Sequence, residues 1–176
     1  MGARISRQLA QLRRGGGVLV GSTGTFALGT GTANLAGAGN GAANLLTGNS
    51  GANRLAGLGG VDILDGSGGN DTFTGLAGAD RFEIAAGVDT LTDLGLDADV
   101  VVVSSASARV EADLAAAWTA TAASTNAGSA LLRTNGFAID LTAVTSGSGW
   151  NLLNSGTATT LTGSALGDRS EEHTSE

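Results

Sequence analysis

The chain has no proline, cysteine, tyrosine or lysine, and aromatic residues make up only 3% of its 176 positions. Without cysteine there is no disulfide framework and no thiolate metal site, although this alone does not place the protein inside or outside a cell. Without lysine there is no P-loop. The single histidine, His173, cannot supply a His-bearing zinc motif or a Ser-His-Asp triad, and no G-x-S-x-G is present. No catalytic residue is therefore assigned and the chain reads as non-enzymatic; a catalytic domain elsewhere in a longer parent protein stays open. The longest apolar stretch, around Leu114 to Ala123, is short and threaded with threonine. A membrane-spanning helix needs ~20 apolar residues, so none is expected. With so few large side chains and 30 glycines, the chain either stays disordered or folds by repetition.

What is present is acidic, and unevenly so. Residues 1–38 carry four arginines (Arg4, Arg7, Arg13, Arg14) and no acid. Residues 39–99 carry nine acids against Arg54 and Arg81, which accounts for the whole net charge of −7. An acidic middle argues against a nucleic-acid partner and for a cation. The basic start is followed by Gly15-Gly16-Gly17 and only Val18-Leu19-Val20, too brief for the apolar core of a signal peptide; residues 1–20 are read as disordered or as a misannotated start.

From Gly39 the chain divides into nines: GNGAANLLT, GNSGANRLA, GLGGVDILD, GSGGNDTFT, GLAGADRFE and IAAGVDTLT, unbroken to Thr92. Position six holds Asn44, Asn53, Asp62, Asp71, Asp80 and Asp89. Position eight holds Leu46, Leu55, Leu64, Phe73, Phe82 and Leu91. A helix is excluded, because residues 57–83 hold eight glycines and each costs about 1 kcal/mol relative to alanine. The remaining unit is a six-residue turn followed by a three-residue strand whose central residue alone points inward. Two facing nonads close one coil, giving an all-β, right-handed parallel β-roll in which directly stacked turns lie two repeats apart.

The turns suit a hard cation. Calcium takes six to eight oxygens, and glycine, which tolerates positive φ, lets a turn aim several carbonyls at one point. The expected ligand-bearing residues are Asp62, Asp71, Asp80 and Asp89, with Gly57, Gly59, Gly60, Gly66, Gly68, Gly69, Gly75 and Gly78 shaping the turns. Asp62 is expected to share an ion with Asp80, and Asp71 with Asp89. Two carboxylates about 5 Å apart repel by roughly 3 kcal/mol at an effective dielectric near 20, so folding is expected to need Ca2+. Asn44 and Asn53 offer only neutral oxygens and suggest an uncharged ladder. Asp65 and Glu83, at position nine, read as solvated strand-face charges. Asp93, Asp97 and Asp99 read as a cap or a further ion site.

This nonapeptide resembles the RTX, or haemolysin-type, calcium-binding repeat family. The likeness covers residues 39–92, is weaker at 21–38 and 161–168, and extends to Val88-Asp89-Thr90-Leu91-Thr92-Asp93-Leu94, similar to the segment that often closes a repeat block. The resemblance implies a secreted, extracellular protein that folds on meeting calcium, with the type I secretion machinery as a partner. It leaves open the repeat region of a larger secreted hydrolase or toxin, or a spacer of a surface adhesin.

Outside the nonads, residues 21–38 read as a degenerate cap and residues 93–160 as a small, mostly β spacer. Strands are expected at Ala130 to Arg133, Phe137 to Val144 and Trp150 to Leu153, around Trp118, Phe137, Ile139 and Trp150. Val110 to Ala123 fits helix or strand equally. Residues 161–168 look like the start of a second repeat block. Residues 169–176, RSEEHTSE, match the translation of a widely used sequencing-adapter oligonucleotide, AGATCGGAAGAGCACACGTCTGAA, and are expected to be an assembly artefact.

Overall fold

A computed structural model describes residues 18–20, 24–27, 29–157 and 159–172. Eighteen strands and no helix are found among them. In chain order they are β1 Val18–Val20, β2 Gly24–Ala27, β3 Ala36–Asn40, β4 Asn44–Thr47, β5 Arg54–Gly59, β6 Ile63–Asp65, β7 Thr72–Ala77, β8 Arg81–Ile84 and β9 Val88–Leu94. They continue as β10 Val100–Val103, β11 Arg109–Leu114, β12 Trp118–Thr119, β13 Thr125–Asn126, β14 Ser129–Arg133, β15 Ile139–Asp140, β16 Asn151–Asn154, β17 Leu161–Thr162 and β18 Arg169–Glu172.

Every pairing between these strands is parallel, and sequence neighbours lie in different sheets. One sheet has nine strands in the order β1-β3-β5-β7-β9-β11-β14-β16-β18, and the facing sheet has six in the order β13-β10-β8-β6-β4-β2. The chain thus alternates between two faces, one nonad to each, and forms a parallel β-roll. Register confirms the period: Arg54 pairs with Thr72 and Thr72 with Thr90, while on the other face Ile63 pairs with Arg81. Each partner lies eighteen residues on, two nonads away.

Position eight forms the core as expected. Leu46, Leu64 and Phe82 from one sheet meet Leu55, Phe73 and Leu91 from the other, all at most 1% exposed. Phe73 and Phe82 pack with ring centroids 6.2 Å apart and planes tilted by 54°. One detail differs from the simple turn-plus-strand unit. β5 and β7 are six residues long and run through the first three positions of the following turn, whereas β6 has three residues.

The coil does not end at Thr92; it widens. Val88 pairs with Arg109, Arg109 with Ser129, and Leu131 with Asn151. These steps of twenty or twenty-one residues erase the fixed period while keeping the strands stacked. The extra residues build a third face, β12-β15-β17, and the enlarged interior is filled by Trp118 and Trp150, buried with ring centroids 5.9 Å apart. The segment read as a spacer is mostly β, and its strands β11, β14 and β16 continue the nine-stranded sheet of the nonads while β10 and β13 continue the six-stranded one.

Two local expectations need correction, and one that was open is decided. Val18–Val20, read as unstructured, form a strand with Val18 opposite Ala36; residues 1–17 lie outside the described residues. The ambiguous stretch from Val110 is strand, in β11 and β12. Phe137 is 38% exposed rather than core. It follows Asn135 and Gly136, both at positive φ (52° and 92°), and this tight turn faces it outward while Ile139 goes in. Residues 173–176, part of the proposed artefact, also lie outside the described residues, and Arg169–Glu172 pair with β16.

Candidate metal centre

Position six forms two rows, one at each edge of the roll. In the first, the backbone N–H of Asn44 donates to Asp62 Oδ1 (2.7 Å), that of Asp62 to Asp80 Oδ1 (2.8 Å), and that of Asp80 to Asp99 Oδ1 (3.1 Å). In the second, Asn53 donates to Asp71 Oδ1 (2.7 Å) and Asp71 to Asp89 Oδ1 (2.8 Å). The structure therefore brings together the two expected pairs, Asp62 with Asp80 and Asp71 with Asp89. All four are at most 2% exposed.

These bonds use one oxygen of each carboxylate. Among the described residues, the buried side-chain oxygens with no hydrogen-bond partner are Oδ2 of Asp62, Asp71 and Asp80. A buried carboxylate oxygen without a donor costs several kcal/mol unless a cation or proton meets it. Burial accordingly raises the pKa of Asp62 above the usual carboxylate range. It pushes Asp71 up to about 6 and Asp89 to about 7, against the lowering effect of the backbone bonds each accepts. Asp80 is pushed up to about 7, by burial first and further by the neighbouring Asp62, Asp99 and Asp93.

The glycines divide by role. A Cβ on Gly57, Gly66 or Gly75 would overlap Oδ2 of Asp62, Asp71 or Asp80 respectively, so position one is the floor under each carboxylate. Gly60, Gly69 and Gly78 have φ of 100°, 99° and 131°, and a Cβ on any of them would strike the backbone of the coil below. A methyl group added at Gly59 or Gly68 would meet its nearest neighbour at an ordinary contact distance, 3.7 Å or 3.9 Å, so space does not enforce glycine at these two places in the turn.

Position two is the unexpected feature. Leu58, Ser67 and Leu76 adopt φ of 80°, 69° and 68°, which costs a non-glycine residue roughly 1–2 kcal/mol. Leu58 and Leu76 are 42% exposed, so core packing does not compensate. The sequence shows that leucine replaces glycine there, but not that it keeps the glycine conformation.

The acids around the block are more closely engaged than their sequence positions suggest. Asp99 is 4% exposed and extends the first row; its pKa is pushed up to about 6, chiefly by burial. Asp93 accepts from the N–H groups of Gly75 (3.1 Å) and Leu76 (2.6 Å), and Asp97 from Gly78 (2.8 Å). These two cap the turn at 75–80. Asp65, read as a solvated charge, accepts from Ser67 N–H at 2.7 Å.

The donor set fits a hard cation. Among the described residues no three His, Cys, Asp or Glu side chains converge on one point, so an ion beside an Asp turn would have to complete its shell with backbone carbonyls, as a six-to-eight-oxygen calcium site does.

Parallel coils, glycine turns and a buried carboxylate ladder define a calcium-type β-roll. Residues 38–73 and 57–91 each match the family model described as RTX calcium-binding nonapeptide repeat (4 copies), and the segment 38–91 is a calcium-binding repeat module of that type. No curated protein and no solved structure matches the chain.

Proposed function

We propose that Asp62, Asp71, Asp80 and Asp89 hold calcium ions between stacked turns, and that ion binding completes the folding of residues 36–99 once the protein reaches a calcium-rich extracellular medium. The observation that carries this reading is the set of three buried, donor-free carboxylate oxygens on Asp62, Asp71 and Asp80. Gly57, Gly66 and Gly75 floor the sites, and Gly60, Gly69 and Gly78 allow the coils to close on one another. When bound, calcium neutralises charge that the protein itself leaves unpaired; the chain supplies the carboxylates, the carbonyls and the exclusion of water.

Affinity links the chemistry to location. For sites of ~10⁻⁴ M affinity, millimolar calcium stabilises each by about 1.4 kcal/mol, whereas submicromolar cytosolic calcium contributes almost nothing. This supports secretion before folding, and the RTX-type repeats support a type I route. Among the described residues no helix is long and apolar enough to cross a membrane.

Isothermal titration of the full chain with calcium, and separately with magnesium, tests the proposal. Submillimolar calcium binding that weakens in Asp62→Asn and Asp71→Asn variants is expected. Equal binding of magnesium, or calcium binding indifferent to both substitutions, would overturn it. Fractionation of expressing cells tests the location, which requires the protein in the medium or at the outer surface.

A further inference from the structure

Six turns of this protein share the same frame, a glycine at position one and Asn or Asp at position six, yet they occur in two backbone states. In the turns at 39–44, 48–53 and 163–168, the position-two N–H donates to the position-six side chain. Asn40 donates to Asn44 Oδ1 (2.8 Å), Asn49 to Asn53 Oδ1 (2.7 Å), and Ser164 to Asp168 Oδ2. In the turns at 57–62, 66–71 and 75–80, position two has swung to positive φ. There its N–H is no longer given to position six: Ser67 donates to Asp65 and Leu76 to Asp93. The position-six Oδ2 is then the donor-free atom described above.

The side chain at position two accounts for the closed state. Asn40 Oδ1 accepts from Ala42 N–H (2.9 Å), Asn49 Oδ1 from Gly51 N–H (2.8 Å), and Ser164 Oγ from Leu166 N–H (3.2 Å). Each is a local side-chain-to-backbone bond two residues along, of the kind Asn and Ser make in turns. Leu58 and Leu76 cannot make it. Ser67 has the side chain for it, but its backbone N–H is drawn away from Asp71 by Asp65 Oδ1 (2.7 Å). Charge does not sort the two groups, because Asp168 sits in a closed turn with both oxygens occupied, Oδ1 by Trp150 N–H (2.7 Å) and Oδ2 by Ser164.

We propose that the residue at position two, through its backbone state, decides whether a turn of this roll takes a cation, and that a carboxylate at position six is necessary but not sufficient. The proposal rests on the calcium reading above. It assigns Asp168, which has the sequence of a ligand, to a metal-free turn. It also makes Leu58 and Leu76 affinity-setting residues: calcium binds only the open state, and a non-glycine residue resists that state.

The test counts bound calcium ions on the full chain by titration calorimetry, with far-ultraviolet dichroism confirming β structure in every variant. Asn44→Asp alone places a carboxylate in a turn held closed by Asn40 and is expected to add no ion. Asn40→Gly combined with Asn44→Asp removes the clamp and is expected to add one. Asp168→Asn, which keeps the acceptor oxygen, is expected to leave the count unchanged whether or not the other variants fold. Leu76→Gly is expected to tighten calcium binding about tenfold. An extra ion in Asn44→Asp alone, no extra ion in a folded double variant, or one ion fewer in Asp168→Asn would overturn the proposal. A wild-type chain that takes up no calcium would instead defeat the calcium reading itself.

Discussion

One row of the nine-stranded sheet passes through both halves of the molecule and changes its chemistry on the way. In the roll it holds Asn53, Asp71 and Asp89. Val110 then stacks on Asp89 and Ala130 on Val110. Since Asn151 pairs with both Leu131 and Arg169, the residues before them carry the row on through Trp150 to Asp168. Where the coil is narrow, the row carries carboxylates, and Asp71 Oδ2 is left for a cation. Where the coil is wide, it is apolar. Apart from Trp150 Nε1, the wide coils also pair their buried side-chain polar groups internally among the described residues: Asn154 Oδ1 accepts from Thr134 Oγ1 (2.7 Å) and from the N–H groups of Gly136 (2.9 Å) and Gly156 (3.1 Å). On the calcium reading proposed above, a thin core of one residue per nonad needs an ion at its edges. A core with room for two tryptophans does not.

The largest effect that sharpens this contrast is in the wide coils. Trp118→Ala is expected to destabilise them by about 3–5 kcal/mol with or without calcium, as read by denaturant unfolding. Trp118→Phe is expected to cost more than Trp150→Phe, because Trp118 Nε1 donates to the Asp99 carbonyl (3.0 Å) while Trp150 Nε1 is buried without a partner. Next comes Gly75→Ala, whose methyl would overlap the Asp80 carboxylate. It is expected to abolish calcium binding at that turn in a titration, whereas Gly59→Ala leaves binding within about twofold, being worth a few tenths of a kcal/mol.

Acidity should separate the two halves as well. In metal-free protein, burial raises Asp80 and Asp89 to about 7 from an ordinary 3.8. The protonated forms therefore favour the folded roll. Their contribution is fully present below about pH 4 and is lost as pH rises through 7. Without metal the roll should melt at a higher temperature at pH 5 than at pH 8. With saturating calcium the order should reverse, because the ion requires the carboxylates deprotonated. A metal-free melt that is pH-independent would contradict the account. The smallest effect is Arg133→Ala, which breaks ion pairs with Glu111 and Asp113 on the half-exposed sheet face. It is expected to cost under about 1 kcal/mol by chemical denaturation, as partly exposed pairs do.

The nonads made the narrow half legible from sequence. Position eight gave the core, position six gave the ladder, and the spacing of two repeats gave the stacking of Asp62 on Asp80. The wide half hid because sequence periodicity reports a constant coil length, not stacking as such. Once insertions stretch the step from eighteen residues to twenty or more, Glu111, Leu131 and Asn151 still stack but no longer align by number. Backbone state was hidden too. Leu58 and Leu76 read as imperfect substitutes for glycine, and only their φ values show that the turn kept its shape. Asp65 and Asp99 lie at positions where side-chain partners, not composition, decide their role. The adapter match at residues 169–176 remains a proposal, tested by the coding DNA: codons unlike the quoted oligonucleotide would sink it.

The most direct test of the central claim follows two signals from the full chain during one calcium titration. Far-ultraviolet dichroism reports all the strands, whereas both tryptophans lie in the wide coils. From metal-free protein at neutral pH, the β signal is predicted to grow with a midpoint near 10⁻⁴ M calcium, while tryptophan emission already shows a buried environment and changes little. Full β signal in the metal-free protein, unchanged by calcium, would contradict the account.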